Sequence, residues 1–313
     1  MRPALLLLLA AGSAGTAFGW GCEGHQMVAL IARENLTKSA AAAVDKLLAD
    51  NPTSQSLNPY CKDVPPDPMA VASTWADDVR RNEKNGTWHY IDIPLWVKAT
   101  SGPIDKWCEP VTDPRPDGTR PGCVTSALDY ELGVLRDAKQ TGTARTNALR
   151  YVIHFVGDMH QPLHDSDNED SGGNCTGMKF FDEPNSWNLH AVWDFKLIQR
   201  DLAARKATQQ SYAKQLQDQY GAKFRKDGVD TKDPVKWAWE GHELAVKVTY
   251  GAMKPAIAIE PEGAKVGCEV EKNKVTKQEI VLGQEYFDAS IGPVREALAK
   301  AGYRLAALLN ATF

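Results

Sequence analysis

Apolar residues recur along most of this chain at intervals of three and four positions, which places them on one face of a helix. The pattern predicts helices over residues 25–36, 125–138, 143–160, 233–253 and 293–313. Proline marks two of the predicted helix starts, at Asp233-Pro234 and at Gly292-Pro293. Few stretches alternate with the two-residue period of a strand. The chain is therefore predicted to be mainly α-helical.

Two segments follow neither period and are expected to be long loops. One runs from Ile93 to Cys123, and the other is the polar, glycine-rich stretch SDNEDSGGNCTG at 166–177. The chain contains no internal repeat and no low-complexity linker that would separate a second domain. We therefore expect a single domain that extends from Trp20 to Phe313.

The first 19 residues differ from the rest of the chain. They contain one basic residue, a short apolar run, and then small residues at Ala17 and Gly19. This order is typical of a secretory signal peptide, and the apolar run is too short to span a bilayer. We expect residues 1–19 to be removed, so that Trp20 becomes the N-terminus of a secreted or periplasmic protein without a membrane segment.

The six cysteines agree with an exported protein. An even number of cysteines in such a protein favours disulfide bonds, although the sequence alone does not choose among the pairings. Cys108 and Cys123 bracket a segment rich in proline and glycine, so they are the favoured pair. No C-x-x-C spacing occurs, which argues against a zinc site made of cysteines.

Histidine and aspartate occur in pairs at spacings that suit a metal ion. His154 and Asp158 are four residues apart in a predicted helix and share a face, and His190 and Asp194 repeat the spacing. Imidazole and carboxylate groups are both zinc ligands. One histidine, or one such pair, is more often a structural or surface feature. Most of the seven histidines fall in the pattern, however, and the joint occurrence predicts metal binding.

Further candidates lie outside these two pairs. Three come from the blocks WGCEGH, WADDVR and WHYID, and they are His25, Asp77 and His89. His164 lies beyond Pro162, which ends or kinks the helix, so it is expected to serve a different ion from His154. His160 points elsewhere on the helix and is expected to have a packing role.

These blocks together resemble the zinc-dependent, single-strand-preferring nucleases of the fungal S-one/P-one type. The resemblance is carried by WGCEGH, WADDVR, WHYID, HFVGDMHQPLH, GGN, NLHAVWD and AGYRLAALLN, which follow one another in the family's order over nearly the whole chain after residue 19. The tryptophan at the expected N-terminus and the GDMHQPLH block are its most specific signals. The resemblance implies a single-domain, phospholipase C/nuclease-like helical fold with long loops, disulfides and a trinuclear zinc cleft.

The resemblance also implies which residues hold the three Zn²⁺ ions. The implied ligands of the first ion are Asp77, His89, His154 and Asp158. Those of the second ion are Trp20, His25 and Asp158, and those of the third are His164, His190 and Asp194. Asp158 would bridge the first two ions, and Trp20 would contribute its α-amino nitrogen and its carbonyl oxygen. Only removal of residues 1–19 creates that amine, so a chain with extra N-terminal residues should lack a proper second site.

The implied activity is endonucleolytic hydrolysis of single-stranded DNA and RNA to 5′-phosphate products, by in-line attack of a hydroxide held between the two zinc ions that share Asp158. The same geometry would dephosphorylate 3′-mononucleotides, and the enzyme would act as a monomer without an obligate protein partner. By family position, Arg80 would clamp a phosphate oxygen and Asp92 would orient the attacking water. Tyr90 would stack on a base, and Asn174 would contact one. An exposed arginine, a structural hydrogen bond and an aromatic core residue are the alternatives for the first three.

Charge first argues against a polyanionic substrate, because the formal net charge is −4 and no basic stripe is present. Three Zn²⁺ ions and three aspartates would nevertheless give the site a net charge of about +3. Two rival functions remain, a phospholipase C of the same fold and an exported zinc-binding protein without turnover. That phospholipase has glutamate where this chain has Asp194. A zinc protease is not supported, because HELAV has Val246 where H-E-x-x-H needs histidine.

Overall fold

The computed structural model describes residues 20–53, 61, 63–229, 233–264 and 280–313. The predicted signal peptide at 1–19 lies outside the described residues. The predicted fold class is confirmed, because most of the described chain is helical. The helices are α1 Cys22–Glu34, α2 Lys38–Asp50, α3 Pro68–Ala72, α4 Trp75–Glu83, α5 Val124–Arg136, α6 Gly142–Asp158, α7 Leu189–Ala191, α8 Leu197–Arg205, α9 Gln209–Asp227, α10 Pro234–Leu244 and α11 Gln284–Thr312.

Shorter helical turns extend several of these helices or follow them. The tight 3-10 turns are Gly86–His89 and Pro162–His164, and the wider π-helical turns are Val192–Lys196 and Ala245–Thr249. The predicted helix 233–253 is thus an α-helix followed by a π-helical turn. Its predicted start is confirmed, since Asp233 accepts a hydrogen bond from the Lys236 N–H and Pro234 is the first helical residue.

The predicted helix start at Gly292-Pro293 is wrong. Helix α11 begins at Gln284 and contains Pro293 in its interior. Proline removes one hydrogen bond to the preceding turn, but tertiary packing outweighs that loss here. Tyr286 and Phe287 are buried in the first turns, and the Tyr286 hydroxyl accepts a hydrogen bond of 2.8 Å from the Trp193 indole. These contacts keep the chain helical before the proline.

The core is built around α1, α6 and α11. Helix α6 is buried around most of its circumference from Thr146 onwards, which identifies it as a central helix. Helices α1 and α11 approach closely, because a Cβ at Gly302 would lie only 2.5 Å from the Cβ of Ile31. The packing of these three helices positions part of the site described below, since His25 lies on α1 and Asp158 ends α6.

A small sheet was not predicted from the sequence. Its strands are β1 Gly177–Phe180, β2 Ser186–Asn188 and β3 Val281–Leu282, in the order β2-β1-β3. Strand β1 pairs antiparallel with β2, with Gly177 opposite Asn188, and parallel with β3. Strands this short carry too few residues to display a two-residue period. Strand β2 leads directly into α7, so the sheet fixes the start of the helical segment that carries His190.

Disulfide bonds fasten two of the irregular segments. The predicted pair Cys108–Cys123 is confirmed and closes the base of the long loop from Ile93 to Cys123. Cys22 and Cys61 form a second disulfide that ties the start of α1 to a distant loop. Cys175 is disulfide-bonded as well, and Cys268 lies outside the described residues. None of the described helices combines the length and apolar character needed to cross a bilayer.

Glu131 provides a test of this packing. Burial in α5 raises its pKa to about 7 from an ordinary 4.5. An unfolded glutamate ionises at lower pH than the folded one, so the free energy of unfolding should fall as pH rises from 4.5 to 7. Urea unfolding should show Glu131→Gln to be more stable than the parent above pH 7, by up to roughly 3 kcal/mol. A difference in the free energy of unfolding between Glu131→Gln and the parent that is the same at pH 4 and at pH 8 would contradict this expectation.

Candidate metal centre

Six helical elements bring the predicted histidine and aspartate ligands into one buried region. They are α1, α4, α6, the two 3-10 turns, and the continuous segment formed by α7 and the π-helical turn after it. All eight of these side chains are less than a tenth exposed, and they are His25, Asp77, His89, His154, Asp158, His164, His190 and Asp194. Residues more than one hundred positions apart therefore meet at the centre.

Asp158 lies among three imidazoles at the end of α6. Its Oδ1 atom is 3.3 Å from His25 Nε2, and its Oδ2 atom is 3.1 Å from His89 Nδ1 and 3.2 Å from His154 Nε2. Burial opposes ionisation of this carboxyl. The charge of His154 and hydrogen bonds from the imidazoles of His154 and His89 outweigh burial, and they hold the pKa of Asp158 well below its usual range. Asp158 is therefore an ionised carboxylate at neutral pH.

Two of these imidazoles are stacked on each other. The rings of His25 and His154 lie 4.0 Å apart with an interplanar angle of 13°. Burial, followed by the charge of His154, lowers the pKa of His25 to about 4. Burial also disfavours charge on His154, but Asp158 and Asp77 outweigh it and raise the pKa of His154 to about 9. A metal ion bound there would have to displace that proton, because an imidazole ligand must be neutral.

Asp77 completes this first cluster from helix α4. Its Oδ1 atom lies 3.7 Å from His89 Nδ1 and 3.7 Å from His154 Nε2. Arg80, one turn later on the same helix, places its guanidinium 3.5 Å from the same oxygen. The carboxylate therefore lies between the imidazoles and a cation.

A second cluster contains the remaining three of these eight side chains. His164 Nε2 lies 3.1 Å from His190 Nε2, which lies 3.3 Å from Asp194 Oδ2. Asp194 belongs to the π-helical turn Val192–Lys196, so the four-residue spacing brings the pair together although the turn is wider than an α-helix. Burial raises the pKa of Asp194 well above its usual range, although a hydrogen bond from Gln161 opposes this.

Main-chain oxygens orient three of the imidazoles. The Nδ1 atoms of His154, His164 and His190 lie 2.7, 2.6 and 2.6 Å from the carbonyl oxygens of Ser73, His89 and Gly172. When Nδ1 carries the proton and donates it to a carbonyl, Nε2 remains as the electron-pair donor that faces inward. The three rings are therefore fixed in the orientation that metal coordination requires.

Gln161 is a site residue that the ligand pattern did not identify. Its side-chain amide donates a 2.6 Å hydrogen bond to Asp194 Oδ1, and its carbonyl oxygen accepts one from the Leu163 N–H. It therefore fixes the carboxylate of the second cluster to the 3-10 turn that carries His164. Its only sequence signal was its place within the GDMHQPLH block.

The clusters fit metal ions by three criteria. Within the described residues, buried atoms without a hydrogen-bond partner include Asp77 Oδ1, Asp158 Oδ1, His89 Nε2 and both ring nitrogens of His25. Buried polar atoms left without partners are costly, so a ligand is expected. Imidazole and carboxylate are the donors that zinc takes. Three groups have donor atoms within 4.8 Å of one another, and they are His25, His154 and Asp158; Asp77, His89 and His154; and His164, His190 and Asp194.

Trp20 is fixed at the entrance to α1. Its side chain is fully buried, and the N–H of the next residue, Gly21, donates a 2.8 Å hydrogen bond to the Asp194 carbonyl. A Cβ at Gly24 would lie 2.5 Å from the Trp20 Cβ, so only glycine permits this packing. The segment from Trp20 to Gly24 is thereby held between the two clusters. The ligand role of the Trp20 α-amino nitrogen stays a prediction.

The predicted substrate residues lie around these clusters. Arg80 is largely buried beside Asp77, so it is not an exposed surface arginine. Tyr90 and Asp92 line a recess of about 220 Å³ that begins immediately after His89. The pKa of Asp92 is raised to about 7, because surrounding protein atoms desolvate the carboxyl and nearby acidic residues add negative charge. Asn174 donates a 2.8 Å hydrogen bond to the Ser171 carbonyl in the glycine-rich loop.

His160 has the packing role expected for it. Its Nδ1 atom lies 2.7 Å from the Val156 carbonyl, and its Nε2 atom lies 2.9 Å from the Arg304 guanidinium. The ring also packs against Trp237. Burial, together with the charge of Arg304, lowers the pKa of His160, so the ring is neutral. It fastens the turn that follows Asp158 to helix α11.

Comparison with known proteins supports the resemblance seen in the sequence. The profile of the family described as S1/P1 Nuclease matches residues 20–313. Nuclease S1 of Aspergillus oryzae is 29% identical over 308 residues, which cover 94% of this chain and 91% of the relative. Endonuclease 2 of Arabidopsis thaliana is 30% identical over 302 residues, with coverage of 94% and 91%. Nuclease P1 of Penicillium citrinum is 26% identical over 303 residues, with coverage of 93% and 97%.

The matched region contains every histidine and aspartate of the two clusters. The clusters could bind metal ions, and the family match extends over nearly the whole chain after residue 19. The resemblance predicted from the sequence blocks is confirmed, and the class of activity is that of a nuclease. This chain belongs to the S1/P1 nuclease family.

Proposed function

We propose that this protein is a zinc-dependent endonuclease that hydrolyses single-stranded DNA and RNA to 5′-phosphate products and also dephosphorylates 3′-mononucleotides. The observation that supports this most is the buried set of imidazoles and carboxylates, several of whose atoms lack hydrogen-bond partners within the described residues. Membership of the S1/P1 nuclease family supports the same class of reaction.

Three zinc ions would be held by the two clusters and by the start of the mature chain. The proposed ligands are Trp20, His25, Asp77, His89, His154, Asp158, His164, His190 and Asp194. Zinc bound there would supply Lewis acidity and would lower the pKa of water towards neutrality. Asp158 is proposed as the shared ligand because its two oxygens face different imidazoles, Oδ1 towards His25 and Oδ2 towards His89 and His154.

Other residues of the chain would bind and orient the substrate. The guanidinium of Arg80 lies beside Asp77 and is proposed to hold a phosphate oxygen. Asp92 lines the recess that begins after His89 and is proposed to orient the attacking water. Tyr90 would stack on a base, which favours strands whose bases are unpaired. Asn174 would contact a base from the loop that also positions His190.

The rest of the proposal concerns processing and assembly. Residues 1–19 are proposed to be a signal peptide, whose removal frees the amino group of Trp20 and directs the protein to a secreted or periplasmic location. Residues 20–313 would act as one nuclease domain, as a monomer and without an obligate protein partner. The cysteines paired in disulfides agree with an oxidising compartment.

The proposed function is tested by incubating protein that begins at Trp20 with a single-stranded oligonucleotide, its duplex and an RNA, each with and without EDTA. We expect cleavage of the single strands, 5′-phosphate ends, loss of activity with EDTA and its recovery with zinc. Preferential hydrolysis of phosphatidylcholine would instead support a phospholipase C. Zinc binding with hydrolysis of neither substrate would support a non-catalytic zinc-binding protein.

Arg80→Ala tests the proposed phosphate contact. We expect kcat/KM for single-stranded DNA to fall by roughly 10²-fold, the scale measured when one positioned donor to a reacting oxyanion is removed. Steady-state kinetics will measure the loss, and zinc content will report whether Asp77 still functions as a ligand. Arg81→Ala is the matched control, because the neighbouring arginine is exposed. Equal losses in the two variants would contradict a specific role for Arg80.

A further inference from the structure

The segment after His89 forms one part of the lining of the recess beside the proposed metal centre. Tyr90, Ile91 and Asp92 all line this cavity of about 220 Å³. The Ile91 N–H donates a 2.8 Å hydrogen bond to the His164 carbonyl, and the His164 Nδ1 atom lies within hydrogen-bond distance of the His89 carbonyl oxygen. The segment is therefore fixed by backbone contacts between two of the proposed zinc ligands, which places the recess next to the centre.

The rest of the lining comes mainly from the loop between Ile93 and Cys123. Trp107, Glu109 and Arg115 line the recess, and so do the residues that close the loop at Cys123. This loop contains no block by which the sequence resembles the family. Its contribution to the recess is therefore not one that the sequence blocks identified.

The Trp107 side chain is held in place although its loop is irregular. Its main-chain N–H donates a 2.8 Å hydrogen bond to the Ile104 carbonyl, and its indole ring meets the edge of Trp239 at a centroid distance of 6.0 Å. The Trp239 indole in turn donates to the Gly102 carbonyl at 2.8 Å. The disulfide Cys108–Cys123 closes the loop beside this indole. A side chain fixed in this way loses little freedom when a ligand binds.

The chemistry of the lining suits a nucleobase. Two aromatic residues, Tyr90 and Trp107, offer π-faces, on which any base can stack. The carboxylate of Asp92 can accept a hydrogen bond from an N–H group on the edge of a base, whereas the carboxylate of Glu109 is ion-paired with Arg115. A quaternary ammonium group also binds aromatic faces, so phosphocholine is the competing ligand that the test below includes.

We propose that Trp107 is a specificity-determining residue, which forms with Tyr90 the aromatic surface of a subsite for one unpaired nucleobase. The proposal rests on the proposed nuclease function. A base that remains paired in a duplex cannot enter a recess of this size, so the subsite contributes to selection of single strands. The irregular loop, fastened by its disulfide, is the element that adds the indole to this subsite.

The test compares two substrates in the same assay. One is a short single-stranded oligonucleotide, and the other is its analogue with base-free sites on both sides of the scissile phosphate. In Trp107→Ala the ratio of kcat/KM for the normal strand to that for the analogue should fall by roughly 5- to 150-fold, the range that base stacking contributes. Trp107→Phe should restore most of the ratio, whereas Trp107→Leu should not.

Trp96→Ala is the matched control, because Trp96 belongs to the same loop and does not line the recess. Its ratio should equal that of the parent. An unchanged ratio in Trp107→Ala and in Trp107→Leu would overturn the proposal. If the alanine variant does not fold, the comparison of leucine with phenylalanine decides the question, because these two keep a large apolar side chain and only one has a π-face.

Binding measurements separate this proposal from the function on which it rests. A parent enzyme that cleaves neither substrate would contradict the nuclease function. The subsite would then be tested by quenching of tryptophan fluorescence with a nucleoside 5′-monophosphate, ribose 5-phosphate and phosphocholine. Quenching by the nucleotide alone that is lost in Trp107→Phe supports the subsite. Equal quenching by ribose 5-phosphate, or stronger binding of phosphocholine, overturns it.

Discussion

Replacing Asp158 with asparagine is expected to lower the rate of single-strand cleavage by roughly 10³-fold or more, since removing a central catalytic group has effects of this size or larger. The carboxylate lies within 3.3 Å of His25, His89 and His154, and its pKa is held well below the usual range. An amide has no negative charge and only one acceptor oxygen. The variant should therefore lose metal from the first cluster as well as activity.

Asp165→Asn is the matched control for that variant. Asp165 is buried seven residues later, and its carboxyl has no hydrogen-bond partner among the described residues. Burial, together with the charges of Asp158 and Glu240, raises its pKa well above the usual range, so the group is already neutral. The same chemical change should leave metal content and rate near those of the parent. An Asp158→Asn variant that keeps its metal and its rate would contradict the proposed site.

Extension of the chain by two residues before Trp20 is expected to remove one of the three zinc ions and most of the activity. The extension converts the α-amino group into an amide, whose nitrogen is a poor metal ligand. The chain has little freedom to compensate, because the Trp20 side chain is fully buried and the Gly21 N–H is bonded to the Asp194 carbonyl. The disulfide Cys22–Cys61 further restricts the segment.

Elemental analysis and rates should be measured on extended protein before and after a protease removes the extra residues. Removal is expected to restore the third ion and the activity in the same sample. An extension of equal length after Phe313 is the control and should change neither quantity. Three zinc ions and full activity in the N-terminally extended chain would show that the amine is not a ligand.

Much of the site could be predicted because its pairs are local in the sequence. The four-residue spacing places His154 beside Asp158, and the same spacing places His190 beside Asp194. Contacts between distant elements had no such signal. The stacking of His25 on His154 depends on the packing of α1 against α6, and it requires glycine at position 157, where a Cβ would lie 2.6 Å from the His25 ring.

The helical class of the fold was predicted because amphipathic periodicity is strong in this chain, whereas several boundaries depended on tertiary packing. Pro293 indicated a helix start, but the buried side chains of Tyr286 and Phe287 extend α11 before it. The hydrogen bond from Gln161 to Asp194 likewise joins a turn to a π-helical segment that no local pattern connects. Such contacts form only when the core is assembled, and no repeating pattern in the sequence predicts them.

The central claim is that a freed amino terminus and two clusters of buried imidazoles and carboxylates hold three zinc ions that are needed to cleave phosphodiester bonds. It is tested most directly by measuring metal per chain on protein that begins at Trp20, and the cleavage rate of the same sample as zinc is removed and returned. We expect three zinc ions per chain and a rate that follows zinc occupancy. Protein that contains no transition metal and cleaves at the full rate would contradict the claim.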